Sequence, residues 1–274
     1  MESHPADLMC VCIARQVRDG EILAQGLATP LVAAGYLLAW RMHAPHVYFA
    51  SAIGQSVCRE GAPIGLSRVE DLWLERALRL YGFVPAVAEM LPCVRPKEYF
   101  RPGQVDAVGR FNNVAIGRDP RRPRLRLPGS GGIPDVTTVF TDIHLYVPRH
   151  SRAVFVERLD FASSLGHTPD RRHGRGPQYL VSELGQFDFA AGRLCLTHVH
   201  PGVTPEEIDR RTGFPVERAP TIEETPPPSE RELELLRTEI DPLDVRRLEF
   251  LSGSRRREAL EAILRSENSN KSSL

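Results

Sequence analysis

The sequence predicts an α/β fold: an open, doubly wound, mixed but mainly parallel sheet with helices on its faces. Three observations carry that reading. Helical and strand patterns alternate through the first half of the chain, as in layered α/β domains. The run "HVYFASA" is apolar without polar alternation, as a strand covered on both faces should be. Two later strands joined by "AAG" before Cys195 read as a hairpin and make the sheet mixed.

Taken in order, "DLMCVCIARQVRDG" predicts a helix from Asp7 stopped at Gly20, followed by a short strand over Glu21 to Gln25. Thr29 is placed to cap and Pro30 to open a helix that ends near Arg41, and "HVYFASA" supplies the second strand. Ser67 to Gly82 predicts a helix, with a Ser cap, Glu70 three residues later, apolar residues at helical spacing and a terminal glycine. An apolar segment, Phe83 to Leu91, precedes "QVDAVGRFNNVAIG", which reads as strand, turn, strand. Then come a basic loop, a glycine cluster, a short helix and a strand ending in "DIHLYV". "RAVFVERLDF" and "QYLVSELGQFDFAAGRLCLTHVHPG" predict further strands, and "TPEEIDRRTG" a helix capped by Thr204, opened by Pro205 and closed at Gly213.

At 274 residues and 42% hydrophobic, the chain suits one globular domain plus a tail. The expected division is an α/β domain over 1–216, a proline-rich connector over 217–230, C-terminal helices over 231–266 that pack on the domain, and a disordered polar tail over 267–274. Acidic and basic residues cancel at 35 each, which gives no reason to expect a nucleic-acid or membrane partner. Five cysteines without a CxxC pair indicate neither a disulfide framework nor a zinc site, and together with the absence of a signal peptide they lead to an expected cytoplasmic location.

The sharpest local signal is "PGSGGIPD". Gly129, Gly131 and Gly132 around Ser130 can adopt positive φ, and a helix starting near Ile133 would aim N–H groups at an anion or a thioester oxygen; a plain tight turn is the alternative. His198 and His200 share a strand face but have no third ligand at fixed spacing, so no metal is expected. Cys10 and Cys12 read as core residues of a helix. Asp135, Asp142 and His144 lack a serine in a nucleophile-elbow context, which argues against a hydrolytic triad.

Several ordered segments, among them "IARQVRDGEILAQGLATPLVAAGYLLAWRMHAP", "GQVDAVGRFNNVAIG", "PRLRLPGSGGIPD", "FDFAAGRLCLTHVHPGVTPEEIDRRTGF" and "LELLRTEIDP", resemble the β subunit of a family I coenzyme A transferase of the glutaconate type, over roughly Asp7 to Pro242. The resemblance implies the Rossmann-like sheet of those subunits, a homologous α-subunit partner, commonly as α2β2, acyl-CoA thioesters as substrates, and a site at the subunit interface. On this basis Gly54, Gln104, Asn112, Gly129, Ser130, Gly131 and Gly132 are the expected substrate or coenzyme A contacts, with Asp106 and Asn113 in the same matching segment.

In the transferases, the strand after "AP" (here Ala44 and Pro45) ends in a glutamate that forms a glutamyl-CoA thioester. The matching position here is Ala52, whose methyl group has no lone pair to attack with. The chain therefore also resembles the β subunit of the hydrolase that opens steroid rings as CoA thioesters, in which the catalytic carboxylate comes from the α subunit. CoA-ester-dependent hydrolysis of a cyclic acyl-CoA is the expected activity. Its alternatives are a true transferase with a relocated carboxylate, for which Glu60 is the candidate beside Ser51, Gln55 and Ser56, and a scaffold subunit that completes the partner's site.

Overall fold

The computed structural model describes residues 3–26, 29–51, 54–67, 75–140 and 142–271. They fall into two units, Met1–Val94 with Pro227–Leu274, and Arg95–Pro226.

The first unit alternates helix and strand as expected. Helix α1 (Pro5–Arg15) starts two residues before Asp7, because the His4 ring caps it by accepting the Ala6 N–H, and it ends well short of Gly20. Every residue from Ala6 to Ala14 is buried, which explains Cys10 and Cys12 as packing residues. Strands β1 (Ile22–Ala24) and β2 (Tyr48–Ser51) pair in parallel around helix α2 (Pro30–Met42). Thr29 makes no cap bond; the Glu249 carboxylate, 218 residues away, accepts the Leu31 N–H at 3.1 Å instead. A negative group at a helix N-terminus also suits the helix dipole.

Strands β3 (Ser56–Cys58) and β4 (Ala77–Leu80) extend the unit with antiparallel pairs, giving the order β1-β2-β3-β4. The helix expected over Ser67 to Gly82 is corrected at its C-terminal half. Its apolar residues Leu78 and Leu80 are 63% and 58% exposed, so they fill no core, and the open edge of β3 recruits their backbone instead. Its first half, 68–74, lies outside the described residues. Phe83 to Leu91 is helical, running through Phe83–Pro85, Ala86–Met90 and Leu91–Val94.

The C-terminal segment completes this unit. Arg246 is fully buried, donating to Asp7 Oδ1 through Nε (3.0 Å) and Nη2 (2.8 Å) and to Asp241 Oδ2 through Nη1 (2.8 Å), with Asp244 at 2.9 Å. Burial pushes the Asp7 carboxyl up, but Arg237 and Arg246 more than offset it and hold it below the usual carboxylate range. The expected disordered tail is also corrected: Gly253–Lys271 is one helix. Glu267 near its end is buried and accepts the Leu66 and Ser67 N–H groups at 2.5 and 3.0 Å, and these bonds hold the tail in place despite its polar composition.

In the second unit the strand order is β14-β13-β12-β11-β10-β5. Strands β5 (Lys97–Phe100), β10 (Asp142–Val147) and β11 (Pro177–Ser182) run parallel; β12 (Gly185–Asp188) and β13 (Cys195–Val199) add antiparallel pairs through the expected hairpin. Two short ribbons stand apart: β6 (Gln104–Val105) with β7 (Phe111–Asn112), and β8 (Ala115–Ile116) with β9 (Leu125–Arg126). The Thr204 hydroxyl caps the helix Pro205–Arg211 as predicted.

Two corrections belong to this unit. The expected connector contains β14 (Glu217–Glu224), paired in parallel with β13. Pro220 is tolerated because the strand is the terminal one in this unit's order and its pairing breaks register between Leu196 and His198, so no ladder bond is needed from the missing N–H. "RAVFVERLDF" is not a strand: Val154 and Phe155 turn back onto the Ser151 carbonyl, and only Phe155 bridges to Val105. No helix among the described residues is long and apolar enough to cross a membrane.

Removing one side of the buried ion cluster strands the others, so Arg246→Ala should cost about 3–5 kcal/mol of unfolding free energy. Urea unfolding that shifts by less than about 1 kcal/mol would show that Asp7 and Asp241 are stabilised elsewhere. A pH-dependent case is Glu98, which burial pushes up from 4.5 to about 8. Its carboxyl stays protonated in the fold while the unfolded chain ionises, so its contribution is complete below pH 4.5 and is lost as pH rises through about 8. Glu98→Gln should therefore gain stability over the parent on going from pH 5 to pH 8 in urea titrations; a pH-independent difference would refute the assignment.

Candidate functional site

At the tips of β1 and β2 in the first unit stand Gln25 and Ser51. The Ser51 hydroxyl accepts the Gly54 N–H at 2.9 Å, and Gln55 takes a left-handed backbone (φ 52°), unusual for a residue with a side chain. Together they fold the chain from β2 straight into β3. Ala52 and Ile53 lie outside the described residues. Glu60 lies just beyond β3, which runs antiparallel to β2 with Ser56 opposite Ser51 and Cys58 opposite Phe49. Its side chain is 73% exposed and pairs with Arg76 at 3.4 Å. The cavity between these strands and α2, lined by Gln25, Tyr36, Leu37, Phe49, Cys58 and Glu60, holds about 10 Å³, room for one water.

The second unit brings the other candidates together around Asn112. This fully buried amide uses every polar atom: Nδ2 donates to Gln104 Oε1 (2.8 Å) and the Ala115 carbonyl (2.7 Å), and Oδ1 accepts from the Val114 and Ala115 N–H groups. Gln104 donates to Asp160 Oδ2 at 3.1 Å and accepts the Asp160 N–H at 3.2 Å, which leaves one N–H of its amide without an acceptor among the described residues. The same Asp160 oxygen accepts the Gly117 N–H. Asn112, by contrast, has no side-chain donor or acceptor left over to offer a ligand. Asp106 is committed too, to the Val108 and Arg110 N–H groups and the Arg110 guanidinium.

What they support is the glycine segment. The Asn113 carbonyl accepts the Gly129 N–H at 2.7 Å, and its side chain accepts from Gly103. Gly129 (φ 110°) and Gly131 (φ 49°) need their glycines for backbone conformation, and a Cβ at either would meet nothing within 4 Å. The segment therefore faces open space. The Ile133 N–H is already used by the Ser130 carbonyl (2.8 Å), but the N–H groups of Ser130, Gly131 and Gly132 have no acceptor among the described residues. Three successive N–H groups without an acceptor around a left-handed glycine are available to an anionic or carbonyl oxygen.

Asp160, Ser163 and Ser164 were not singled out from the sequence, yet the two serine hydroxyls accept the Asn113 and Phe111 N–H groups at 3.0 Å. No local pattern marks them, because their partners lie 50 and 53 residues away.

The remaining candidates are structural. His200 is buried, bonded to Thr225 and the Ser182 carbonyl, and pushed down by burial to about 4. No metal-holding group of histidine, cysteine and carboxylate occurs among the described residues. His144 bonds Asp142 at 2.7 Å with Lys97 at 3.6 Å. Burial raises the Asp142 carboxyl, while His144 and Lys97 outweigh it and leave it lowered.

No family model matches the chain. Individual proteins do. It is 30% identical over 256 residues to a subunit of the 3-oxoadipate CoA-transferase of Pseudomonas knackmussii, covering 84% of this chain and 91% of that one. It is 30% identical over 262 residues to the cholesterol ring-cleaving hydrolase IpdB subunit of Mycobacterium tuberculosis, covering 91% and 100%. Among solved structures, the decarboxylase AibA/AibB superposes with a TM-score of 0.77 at 29% identity, covering 89% of this chain and 98% of that one.

If Asn112 holds the glycine segment in place, Asn112→Ala should lower unfolding free energy by about 2–4 kcal/mol, since it strands several buried partners at once. Hydrogen exchange should accelerate at Ala115, Gly117 and Gly129 together; faster exchange confined to position 112 would show that the segment is held independently.

Proposed function

As a member of the coenzyme A transferase family, in the line of its β subunits, this chain is one we propose to act with a homologous α subunit on an acyl-CoA thioester, by CoA-ester-dependent hydrolysis of a cyclic acyl group. The observation that supports this most is the missing nucleophile. Alanine stands at position 52 of the sequence, and the described residues that flank it in the chain, Ser51, Gly54, Gln55 and Ser56, include no carboxylate. Glu60, beyond the end of β3, has an exposed side chain that pairs with Arg76 and borders the small cavity that Gln25 also lines.

In this reading the thioester is an electron sink. A carboxylate of the partner activates water, whose oxygen adds to a ring ketone β to the thioester carbonyl. The C–C bond between them breaks, its electron pair passes to the carbon α to the thioester, and a proton from the same carboxylate completes that carbon. The developing enolate oxygen is held by the N–H groups of Ser130, Gly131 and Gly132, which are preset for it. The similarity to the decarboxylase AibA/AibB favours a second reading, loss of carbon dioxide from an acyl-CoA to leave the same kind of enolate.

The test is turnover by the chain co-expressed with its α partner, in water labelled with oxygen-18, on a cyclic β-keto acyl-CoA. Hydrolysis puts one labelled oxygen into the new carboxylate. No turnover of that ester, with release of carbon dioxide from an acyl-CoA that bears a free carboxylate, would replace it with the second reading, and transfer of coenzyme A to an added carboxylic acid would overturn both.

A further inference from the structure

Residues 118–126, "RDPRRPRLR", gather five arginines and one aspartate in a chain whose charges cancel overall. Arg118, Arg121, Arg122, Arg124 and Arg126 are all exposed. None has a carboxylate within ion-pair distance among the described residues, whereas Arg110, Arg211 and Arg246 each meet one. Five like charges kept together without counter-charges repel one another, a cost that an anionic ligand removes.

The backbone displays them on a built element. Strands β8 and β9 pair with Ala115 opposite Arg126 and Ile116 opposite Leu125. The single aspartate shapes the turn, its carboxylate accepting the Arg121 N–H at 2.9 Å and its carbonyl the Arg122 N–H at 3.0 Å. Pro120 and Pro123 stiffen the same turn. At its base the hairpin continues without a break into the glycine segment, through Leu127 N–H to the Val114 carbonyl and Gly129 N–H to the Asn113 carbonyl.

We propose that this arginine hairpin is the phosphate-binding subsite for the 3′-phosphoadenosine diphosphate end of coenzyme A, with the thioester end at Gly129–Gly132. The inference rests on the acyl-CoA reading above and adds to it the element that grips the nucleotide. The spacing fits. Arg124 is five residues from Gly129, at most about 18 Å along an extended chain, and a pantetheine arm of roughly a dozen bonds spans about 15 Å. Guanidinium groups suit the chemistry because each can meet two phosphate oxygens at once.

The experiment measures calorimetric affinities of the intact α-partnered complex for coenzyme A, dephospho-coenzyme A and pantetheine, in the parent and in the Arg122→Ala, Arg124→Ala double variant. Coenzyme A affinity should fall about tenfold or more, dephospho-coenzyme A less, and pantetheine not at all. Raising salt should weaken coenzyme A binding more in the parent than in the variant. Equal losses for all three ligands, or none, would overturn the assignment, as would a folded variant that no longer pairs with its partner, which would make the hairpin a docking surface for an acidic face of that subunit. If the parent complex binds none of the three ligands, the acyl-CoA reading itself fails; if it binds coenzyme A and the variant matches it, only the hairpin assignment does.

Discussion

A guanidinium with no access to water governs the first unit. Arg246 cannot give up its charge, so the fold must surround it with anions, and it recruits them from opposite ends of the chain: Asp7 on α1 and Asp241 beside it. Removing a charge from solvent is expensive, and the mutual attraction repays it only when geometry leaves no donor idle. Here the requirement acts as a specification. Helix α1 must present Asp7 at one place, the C-terminal segment must bring Arg246 to meet it, and Glu249 in that same segment then reaches the start of α2. The strand tips that carry Ser51 and Gly54 stand on this foundation.

The second unit uses neutral groups for the equivalent purpose. A buried amide satisfied at every atom, Asn112, gives the chain around it one arrangement, because any shift leaves a polar atom unpaired. Asn113 next door conveys that rigidity to Gly129. Binding groups made of backbone N–H have no side chain to adjust, so their precision comes wholly from such supports. Side chains inside the unit fix position, and the backbone N–H groups of Ser130, Gly131 and Gly132 are left without acceptors among the described residues.

Much of this was legible in the sequence. The alternation of α1, β1, α2 and β2, the hairpin before Cys195 and the capped helix after Thr204 follow from periodicity and end signals, which are local. The glycine segment was legible because positive φ restricts residue choice. What escaped was decided over distance. Leu78 and Leu80 have helical spacing, yet β3 claims their backbone. Pro220 reads as a sheet breaker until a terminal strand with broken register accommodates it. Gln104 and Asn112 were expected as ligand contacts from the family resemblance alone, and their hydrogen bonds to Asp160 and to one another are made at separations that no local pattern encodes. Asp160 and Ser163 carried no signal at all, since a residue that bonds backbone some fifty positions away leaves no trace in its own neighbourhood.

The pairing of Asp7 with Arg246 also bears on the order in which the chain matures. These residues are 239 positions apart, and the unit they close contains both termini, whereas residues 95–226 are continuous. On a ribosome the continuous unit has all its members available first, while α1 emerges early and carries a buried carboxylate with no cation to neutralise it. Until the segment around Arg246 has left the exit tunnel, Asp7 lacks the cation it is buried against, so the first unit closes later than the continuous one.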